Sequence, residues 1–199
     1  MSPEQLRPRQ NERLFAKGKL FELVHIEQPD GRVFEVARRA PGVRLIIADQ
    51  DAKKVLLTRE FRRELGEQGE WDYRLPGGKV FDSLEEYESF RETGHDIADA
   101  AKHKALAESV EEAGIQLNSL SEFKKSNLGA TVEWDLFVFE SKDWRRHEAG
   151  QQLESGEQIE AENWFTYDEA TEMALGGNMK EERIALILLQ WIRTQKEEQ

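Results

Sequence analysis

The sequence predicts an α+β fold, a layered α/β/α sandwich in which a mixed β-sheet lies between helices and antiparallel strands precede it at the N-terminus. Two observations lead to this class. Short β-rich segments separated by turn residues fill the first part of the chain, and helical segments with apolar periodicity follow later. Strands and helices do not alternate regularly, so a parallel βαβ arrangement is not expected. At 199 residues, the chain suggests one domain with an appended arm.

The N-terminal third predicts an arm and two hairpins. Residues 1–13 are polar and contain two prolines, which is typical of a mobile arm. Turn residues at Pro29-Asp30-Gly31 and at Asp49-Gln50-Asp51 each separate two β-rich segments. The predicted strands are Leu20–Ile26, Arg32–Arg38, Val43–Ala48, Lys53–Thr58 and Trp71–Leu75. We therefore expect residues 1–40 to form the arm and the first hairpin, and residues 41–199 to form the main domain.

The rest of the chain predicts helices interleaved with further strands. A sharp loop at Pro76-Gly77-Gly78 leads into a charged stretch, 82–98, in which Leu84–Arg91 fits a short helix. A longer helix, Ala98–Ala113, stops at Gly114, a residue that commonly ends helices. Then follow a strand (Val132–Phe139), a long polar loop (Lys142–Glu157), a strand (Glu162–Tyr167), a helix capped by Thr166 and Glu169 that ends at Gly176-Gly177, and an amphipathic helix (Lys180–Thr194).

Composition excludes several classes of site. The chain has 40 acidic and 28 basic residues and a net charge of −12, so long nucleic acids are poor partners. It has no cysteine, which rules out disulfides, thiolate zinc sites and cysteine nucleophiles. The N-terminus lacks the pattern of a signal peptide, and the longest apolar run, Ile184–Leu189, is too short to span a membrane. We expect a soluble cytoplasmic protein without membrane contact.

Three glutamates near the end of the longer predicted helix are the most informative feature. Glu108, Glu111 and Glu112 share one helix face because positions three and four apart are neighbours. Like charges at this spacing repel, and the helix C-terminus disfavours negative charge. A bound divalent cation would reverse both penalties, and carboxylate oxygens suit Mg²⁺ or Mn²⁺. The spacing alone is more typical of a solvated acidic face; the glycine loop upstream and Gly114 directly after the glutamates favour a metal site.

This arrangement resembles the Nudix box, which runs from a glycine through a glutamate to Arg-Glu-apolar-x-Glu-Glu-x-Gly-apolar. Gly78 matches the opening glycine, and the three glutamates, Gly114 and Ile115 match the second half. The segments Arg59–Arg62, Gly129–Phe139, Ser155–Ile159 and Trp164-Phe165 resemble the flanks of the box in ADP-ribose pyrophosphatases. The resemblance covers about Leu20 to Trp191.

Two departures from the box stand out. Ala107 replaces the arginine that orients and neutralises the glutamates in the family; Lys104, four residues before Glu108, either substitutes for it or is an ordinary solvated lysine. Ala107 also lies 29 positions after Gly78, about 15 more than the box allows. The box's first glutamate is therefore open between Asp99, Glu85 and Glu86. The insertion, about residues 82–98, carries Tyr87, Phe90 and His95 and is either a lid over the site or a tolerated surface insertion.

The resemblance implies a set of site residues. Glu108, Glu111, Glu112 and the Gly78 carbonyl would hold Mg²⁺, with Mn²⁺ as an alternative. Glu157 aligns with the loop glutamate that acts as general base or binds an extra metal, and Glu154 and Glu160 are fallbacks. Arg62 would contact substrate phosphate or ribose, Gly77 and Gly78 would let the substrate approach closely, and Arg38, Arg39 and Arg44 are weaker candidates that more often form structural ion pairs. The aromatic residues Phe21, Phe34 and Tyr73 could stack on a base, although strand aromatics usually belong to the core.

The implied activity is Mg²⁺-dependent hydrolysis of the diphosphate in a nucleoside diphosphate derivative, of the ADP-ribose or nucleotide-sugar type. The alternatives are a nucleotide-binding sensor of the same fold that does not cleave, and an enzyme acting on nucleoside triphosphates. The resembled subfamily forms homodimers through its N-terminal strands, so the Leu20–Arg38 hairpin is expected to form a dimer interface.

Overall fold

The computed structural model describes residues 11–197, and the α+β class is confirmed. The strands are β1 (Glu12–Lys17), β2 (Phe21–Glu27), β3 (Val33–Arg39), β4 (Gly42–Asp49), β5 (Lys54–Arg62), β6 (Glu70–Arg74), β7 (Ile115–Leu117), β8 (Ser121–Ser126), β9 (Val132–Glu133), β10 (Leu136–Ser141), β11 (Trp144–Arg146) and β12 (Ile159–Thr166). The helices are α1 (Leu84–Glu92), α2 (Ile97–Glu111), α3 (Tyr167–Leu175) and α4 (Glu182–Glu197).

Contacts divide the chain into two compact units. The first contains the segment up to Gly42, Lys79–Ala101 and Lys125–Phe137, and the second contains Val43–Gly78, Lys102–Lys124 and the segment from Val138 onward. The three glutamates and the glycine loop therefore belong to the second unit, whereas the insertion, residues 82–98, belongs to the first.

The first unit is built on a four-stranded sheet of order β1-β2-β3-β9. The predicted first hairpin is present, with Phe21 opposite Arg39 and Glu27 opposite Val33. Of the predicted arm, residues 1–10 lie outside the described part of the chain, and residues 12 and 13 belong to β1, which pairs with β2. Strand pairing explains this difference, because β1 completes a ladder that local sequence cannot reveal.

Arg38 joins all four strands of this sheet through one ion-pair cluster. Its guanidinium lies 2.8 Å from Glu12, 2.9 Å from Glu22 and 2.7 Å from Glu133. The three carboxylates hold the pKa of Arg38 above its usual range, with the hydrogen bond to Glu12 the largest contribution. Breaking a buried cluster by removing its one cation is costly, because the carboxylates would be left unpaired.

The insertion forms a packed helix in the first unit. Helix α1 begins after Ser83, whose hydroxyl accepts the Glu86 N–H, while the Glu86 carboxylate accepts the Asp82 N–H at 2.8 Å. Tyr87 and Leu84 are buried in an apolar cluster with Ala40 and Phe81. Two aromatic residues of the insertion, Tyr87 and Phe90, thus contribute to a core, while Glu86 serves as a capping residue.

The second unit is built on a sheet of order β12-β5-β4-β10-β8, with β6 paired to β5. Residues 43–48 of β4 and Val55–Leu57 of β5 are buried. Helix α3 begins with the predicted capping box between Thr166 and Glu169. Helix α4 buries Trp191, whose ring contacts Tyr167 at 5.4 Å between centroids.

Later segments also differ from the sequence prediction, and β7 and β8 lie where no strand was predicted. The predicted strand Val132–Phe139 is divided, because the Asp135 carbonyl accepts the Gly42 N–H at 3.0 Å and the Trp134 ring lies against Arg39, at 4.3 Å. Its halves, β9 and β10, belong to different sheets. The predicted loop Lys142–Glu157 contains β11, which pairs with β7; strands of three residues are too short to show a clear period.

Candidate active site

The loop Pro76-Gly77-Gly78 is fixed along β4. The Leu45 N–H donates to the Pro76 carbonyl at 2.8 Å, and the Val43 N–H donates to the Gly78 carbonyl at 2.9 Å. Gly77 has φ +136°, and a Cβ there would lie 3.0 Å from the Arg44 Cα and closer still to the Val43 carbonyl. Both constraints require glycine, since any side chain would strain the backbone and clash with β4.

Two of the three glutamates lie against this loop. The Glu112 carboxylate accepts the Gly77 N–H at 2.7 Å. Glu108 is only 7% exposed, and a Cβ at Gly78 would overlap its Oε1. Helix α2 ends at Glu111, but the Glu112 N–H still donates to the Glu108 carbonyl at 2.9 Å, and the chain turns away at Gly114, which has φ +63°. The helix thus delivers both carboxylates to the glycine loop.

Lys104 places a cation between Glu108 and Glu111. Its Nζ lies 3.1 Å from Glu108 Oε1 and 3.3 Å from Glu111 Oε2. One turn and two turns of α2 separate the lysine from these glutamates, so a single extended side chain reaches both. Ala107 carries no charge at the position of the box arginine. Lys104 instead places a positive charge next to Glu108 and Glu111.

Burial makes the charges in this cluster costly. The Glu112 carboxylate is enclosed by protein although the residue is partly exposed. Burial first, and then the charge of Glu108, raise its pKa to about 8 against the lowering effects of Arg44 and the Gly77 N–H. Burial likewise raises the pKa of Glu108, against the lowering effect of Lys104. Carboxylates in this state are stabilised by any added positive charge.

Arg44 supplies a second cation behind the loop. Its guanidinium donates to the Gly77 carbonyl and, at 3.2 Å, to the Val43 carbonyl. Burial first, and then the charge of neighbouring Arg74, lower its pKa to about 10 against the raising effects of Glu181 and Glu112. At neutral pH Arg44 is therefore charged, and its charge favours the ionised form of Glu112.

Arg44 was predicted from the sequence only as a weaker candidate, but it contacts the glycine loop directly. Arg74, which donates to Glu181 at 2.6 Å and to Glu60 at 3.4 Å, completes the buried network around it. A sequence signal was present, because Arg44 interrupts an apolar strand. A charged residue in such a run must find buried partners.

The donor set fits a hard divalent cation. The oxygens of Glu108 and Glu111 already bracket one positive charge, and Glu112 is adjacent in sequence and fixed on the loop. Within residues 11–197, no three acidic or histidine side chains have converged on a common point. Binding an ion to all three would require Lys104 to withdraw and the carboxylates to rotate. The chemistry of the oxygens suits Mg²⁺ or Mn²⁺.

The other predicted metal and base ligands have partners elsewhere. The Gly78 carbonyl accepts the Val43 N–H, which leaves one of its two lone pairs for another partner. The exposed Glu157 closes a turn in its own loop, where its carboxylate accepts the Glu154 N–H at 2.9 Å. The structure thus brings Glu108 and Glu112 to the glycine loop, pairs Glu111 with Lys104, and holds Glu157 in a separate turn.

The predicted substrate arginines are also engaged. Arg62 pairs with Glu60 at 2.6 Å and with Glu64. Arg39, in the first unit, lies over the rings of Phe21 and Trp134, at 5.0 and 4.3 Å from their centroids. A phosphate approaching Arg62 would have to compete with two carboxylates.

Comparisons with known proteins identify the fold. No family model and no curated protein matches the chain. A solved structure described as an ADP compounds hydrolase matches with a TM-score of 0.64 and 20% identity, over 98% of this chain and 98% of that one. A MutT structure, from work on Aliivibrio salmonicida and Vibrio cholerae, matches with a TM-score of 0.47 and 15% identity, over 77% of this chain and 98% of the other. The first match confirms the Nudix fold.

Proposed function

We propose that the protein is a divalent-metal-dependent hydrolase of the Nudix family that splits the diphosphate of a nucleoside diphosphate derivative, of the ADP-ribose or nucleotide-sugar type. The observation that carries the proposal is the placement of Glu108 and Glu112 against Gly77 and Gly78. Buried acids at the end of a helix are costly unless a cation joins them. The similarity in fold to an ADP compounds hydrolase supports a nucleoside diphosphate derivative as the substrate class.

We assign a separate role in the reaction to each group of site residues. Mg²⁺, when bound, would supply positive charge that offsets the negative charge developing on the diphosphate. Glu108, Glu111 and Glu112 would hold the ion. Gly77 and Gly78 would let phosphate oxygens approach the backbone, and Arg44 fixes the Gly77 peptide from behind. Glu157 is the proposed acceptor of the water proton, which requires its loop to leave the turn with Glu154.

One observation favours a second candidate function. Lys104 occupies the space between Glu108 and Glu111, and the family's box arginine is replaced by Ala107. A protein in which the lysine permanently replaced the metal would bind nucleotides without cleaving them.

Hydrolysis assays distinguish the two functions. Purified protein is incubated with Mg²⁺ and ADP-ribose, nucleotide sugars, dinucleoside polyphosphates or nucleoside triphosphates, and products are separated by ion-exchange chromatography. We expect Mg²⁺-dependent release of a nucleoside monophosphate from a diphosphate substrate, reduced at least 100-fold in Glu112→Gln, which corresponds to roughly 2.7 kcal/mol of lost transition-state stabilisation.

Glu172→Gln is the matched control, because Glu172 is exposed on α3; it should retain full activity. Turnover without metal, or full activity of Glu112→Gln, would refute the proposal. Tight ADP-ribose binding with no turnover of any compound would establish the sensor instead.

A further inference from the structure

A pocket of about 250 Å³ lies beyond the C-terminal end of α2, within the second unit. One wall is formed by Ala113, Gly114 and Ile115, the residues that directly follow Glu112. The opposite wall comes from β11, β12 and the loop between them. The pocket therefore adjoins the end of the helix that carries the proposed metal-binding glutamates.

Two tryptophans give this pocket aromatic walls. The indoles of Trp144 and Trp164 both line it and stack on each other, with centroids 4.9 Å apart and an angle of 23° between the rings. The Trp144 Nε1 donates to the Ala48 carbonyl at 2.9 Å, which fixes the plane of the pair. Rigid, partly exposed aromatic faces are the usual surface on which a planar ring stacks.

Polar groups at the rim carry both signs of charge. Arg146 and Glu162 pair with each other, and both are exposed, at 71% and 75%. His147 adds a ring nitrogen. One arginine opposed by one glutamate gives no net positive charge, so the pocket does not suit a diphosphate. Donors and acceptors around an aromatic wall instead match the edge of a heteroaromatic ring.

Gln151 connects the pocket to the glutamate helix. Its side-chain amide donates to the Glu112 carbonyl at 2.6 Å and to the Ile159 carbonyl at 3.2 Å. Gly114 allows this contact, because a Cβ there would lie 2.9 Å from the Gln151 backbone nitrogen. A hydrogen bond thus links the pocket wall to Glu112, at the end of the glutamate helix.

We infer that this pocket binds the nucleobase of the substrate, stacked on the Trp144–Trp164 pair with Arg146 and Glu162 at its edge. The inference rests on the proposed function for the identity of the ligand. The volume supports it, since pockets that enclose a whole ligand measure about 300–1,000 Å³, and this smaller one fits the ring of a nucleotide whose phosphates lie outside.

Nucleoside monophosphates test the inference without requiring turnover. The full-length protein is titrated with AMP, GMP, CMP and UMP, and with ribose 5-phosphate as a base-free probe, by tryptophan fluorescence and calorimetry. We expect at least one nucleotide to quench the fluorescence, and ribose 5-phosphate to leave it unchanged. Trp164→Leu should weaken that nucleotide roughly tenfold, the scale of one lost base–aromatic stack, and should raise KM for the substrate with little change in kcat.

Two controls separate stacking from folding. Trp71→Leu, at a partly exposed tryptophan of β6 away from the pocket, should bind like wild type, and Trp164→Phe should retain most of the affinity because it keeps an aromatic face. If Trp164→Leu does not fold, the exposed ion pair Arg146–Glu162 provides the test. Arg146→Ala and Glu162→Ala should each change which of the four nucleotides binds most tightly.

The outcomes distinguish this inference from the proposed function. Equal binding by wild type and Trp164→Leu, or by wild type and both rim variants, would overturn the base site while leaving hydrolysis intact. So would hydrolysis by a wild-type protein whose fluorescence no nucleotide quenches. Base-dependent quenching that requires Trp164, in a protein that hydrolyses nothing, would support the pocket and refute the proposed activity.

Discussion

Lys104 lies between Glu108 and Glu111, where we propose that a metal ion binds. Its side chain is 32% exposed, and its ammonium contacts both carboxylates. A cation so placed neutralises the glutamates in the metal-free protein and competes with any ion that binds there. Its charge is worth about 1 kcal/mol at this exposure, which is roughly fivefold in affinity.

Replacing Lys104 by methionine should therefore tighten Mg²⁺ binding by roughly fivefold. Isothermal titration calorimetry of the two proteins at one pH and ionic strength measures the change. Lys102→Met, at an exposed position on the same helix, removes an equal charge without the contacts and should bind Mg²⁺ like wild type. Weaker binding by Lys104→Met would mean that the lysine organises the site rather than competing for it.

Glu112 should make the stability of the metal-free protein depend on pH. Its folded pKa, about 8, lies above the value near 4.3 of an unfolded chain. The protonated form is favoured in the folded state, so this contribution is fully present below about pH 4.3 and is lost as pH rises to 8. Glu112→Gln stays neutral throughout and should gain stability relative to wild type over that window, on the order of a few kcal/mol.

Urea unfolding in EDTA at pH 5 and pH 8 measures this difference. The other titrating groups are common to both proteins and cancel in the comparison. A difference in unfolding free energy that does not change between the two pH values would show that the Glu112 carboxylate is well solvated.

At the scale of elements, the insertion is a structural helix as well as a departure from the box. Leu84 is 1% exposed in the cluster with Ala40, Phe81 and Tyr87. Leu84→Ala should lower the free energy of unfolding by about 2–5 kcal/mol, as for other buried leucines. Chemical denaturation tests this, with Glu85→Ala as an exposed neighbour that should change stability by less than about 1 kcal/mol. A Leu84→Ala protein as stable as wild type would mean that packing of α1 does not contribute to stability.

How much of each element the sequence predicted depends on the range of the interactions that form it. The hairpin β2–β3, helix α2 and the capping box of α3 were predicted because residues close in sequence determine them. The shared face of Glu108, Glu111 and Glu112, with Lys104 in reach, follows from helix geometry in the same way. The contact of Arg44 with Gly77 joins residues 33 positions apart, and pairing of β3 with the two-residue β9 joins residues far more distant. No local period encodes such contacts.

Two sites show this limit most clearly. Glu157 aligned with a family base, but its own loop turn decides where its carboxylate lies. Ala113 and Trp164 line the same pocket from separate segments, so the pocket could be recognised only after the chain had been folded.

At the scale of the whole molecule, the described residues include no helix long and apolar enough to cross a membrane. The sheet of the first unit leaves Leu14, 54% exposed, and Phe34, 48% exposed, on the face where their partners Val24 and Ile26 are buried. Exposed apolar residues next to a buried cluster are typical of an association surface. We therefore propose this face as the interface of the homodimer that the family resemblance implies.

We predict that light scattering after gel filtration will give the mass of a dimer, and that Leu14→Asp combined with Phe34→Asp will give a monomer. A buried like-charge pair would oppose association. Leu175→Asp, at a leucine 70% exposed on α3, is the control and should stay dimeric. A wild-type monomer, or a dimer that survives the double substitution, would place the interface elsewhere or remove it.

We propose that Glu108, Glu111 and Glu112 bind a divalent cation at the glycine loop. Mn²⁺ is the most direct probe, because its electron paramagnetic resonance signal reports the free ion. Titration of wild type and Glu172→Gln should show the same tight site, and Glu112→Gln should bind at least tenfold more weakly. Identical Mn²⁺ binding by wild type and Glu112→Gln, or no binding by wild type, would contradict the claim.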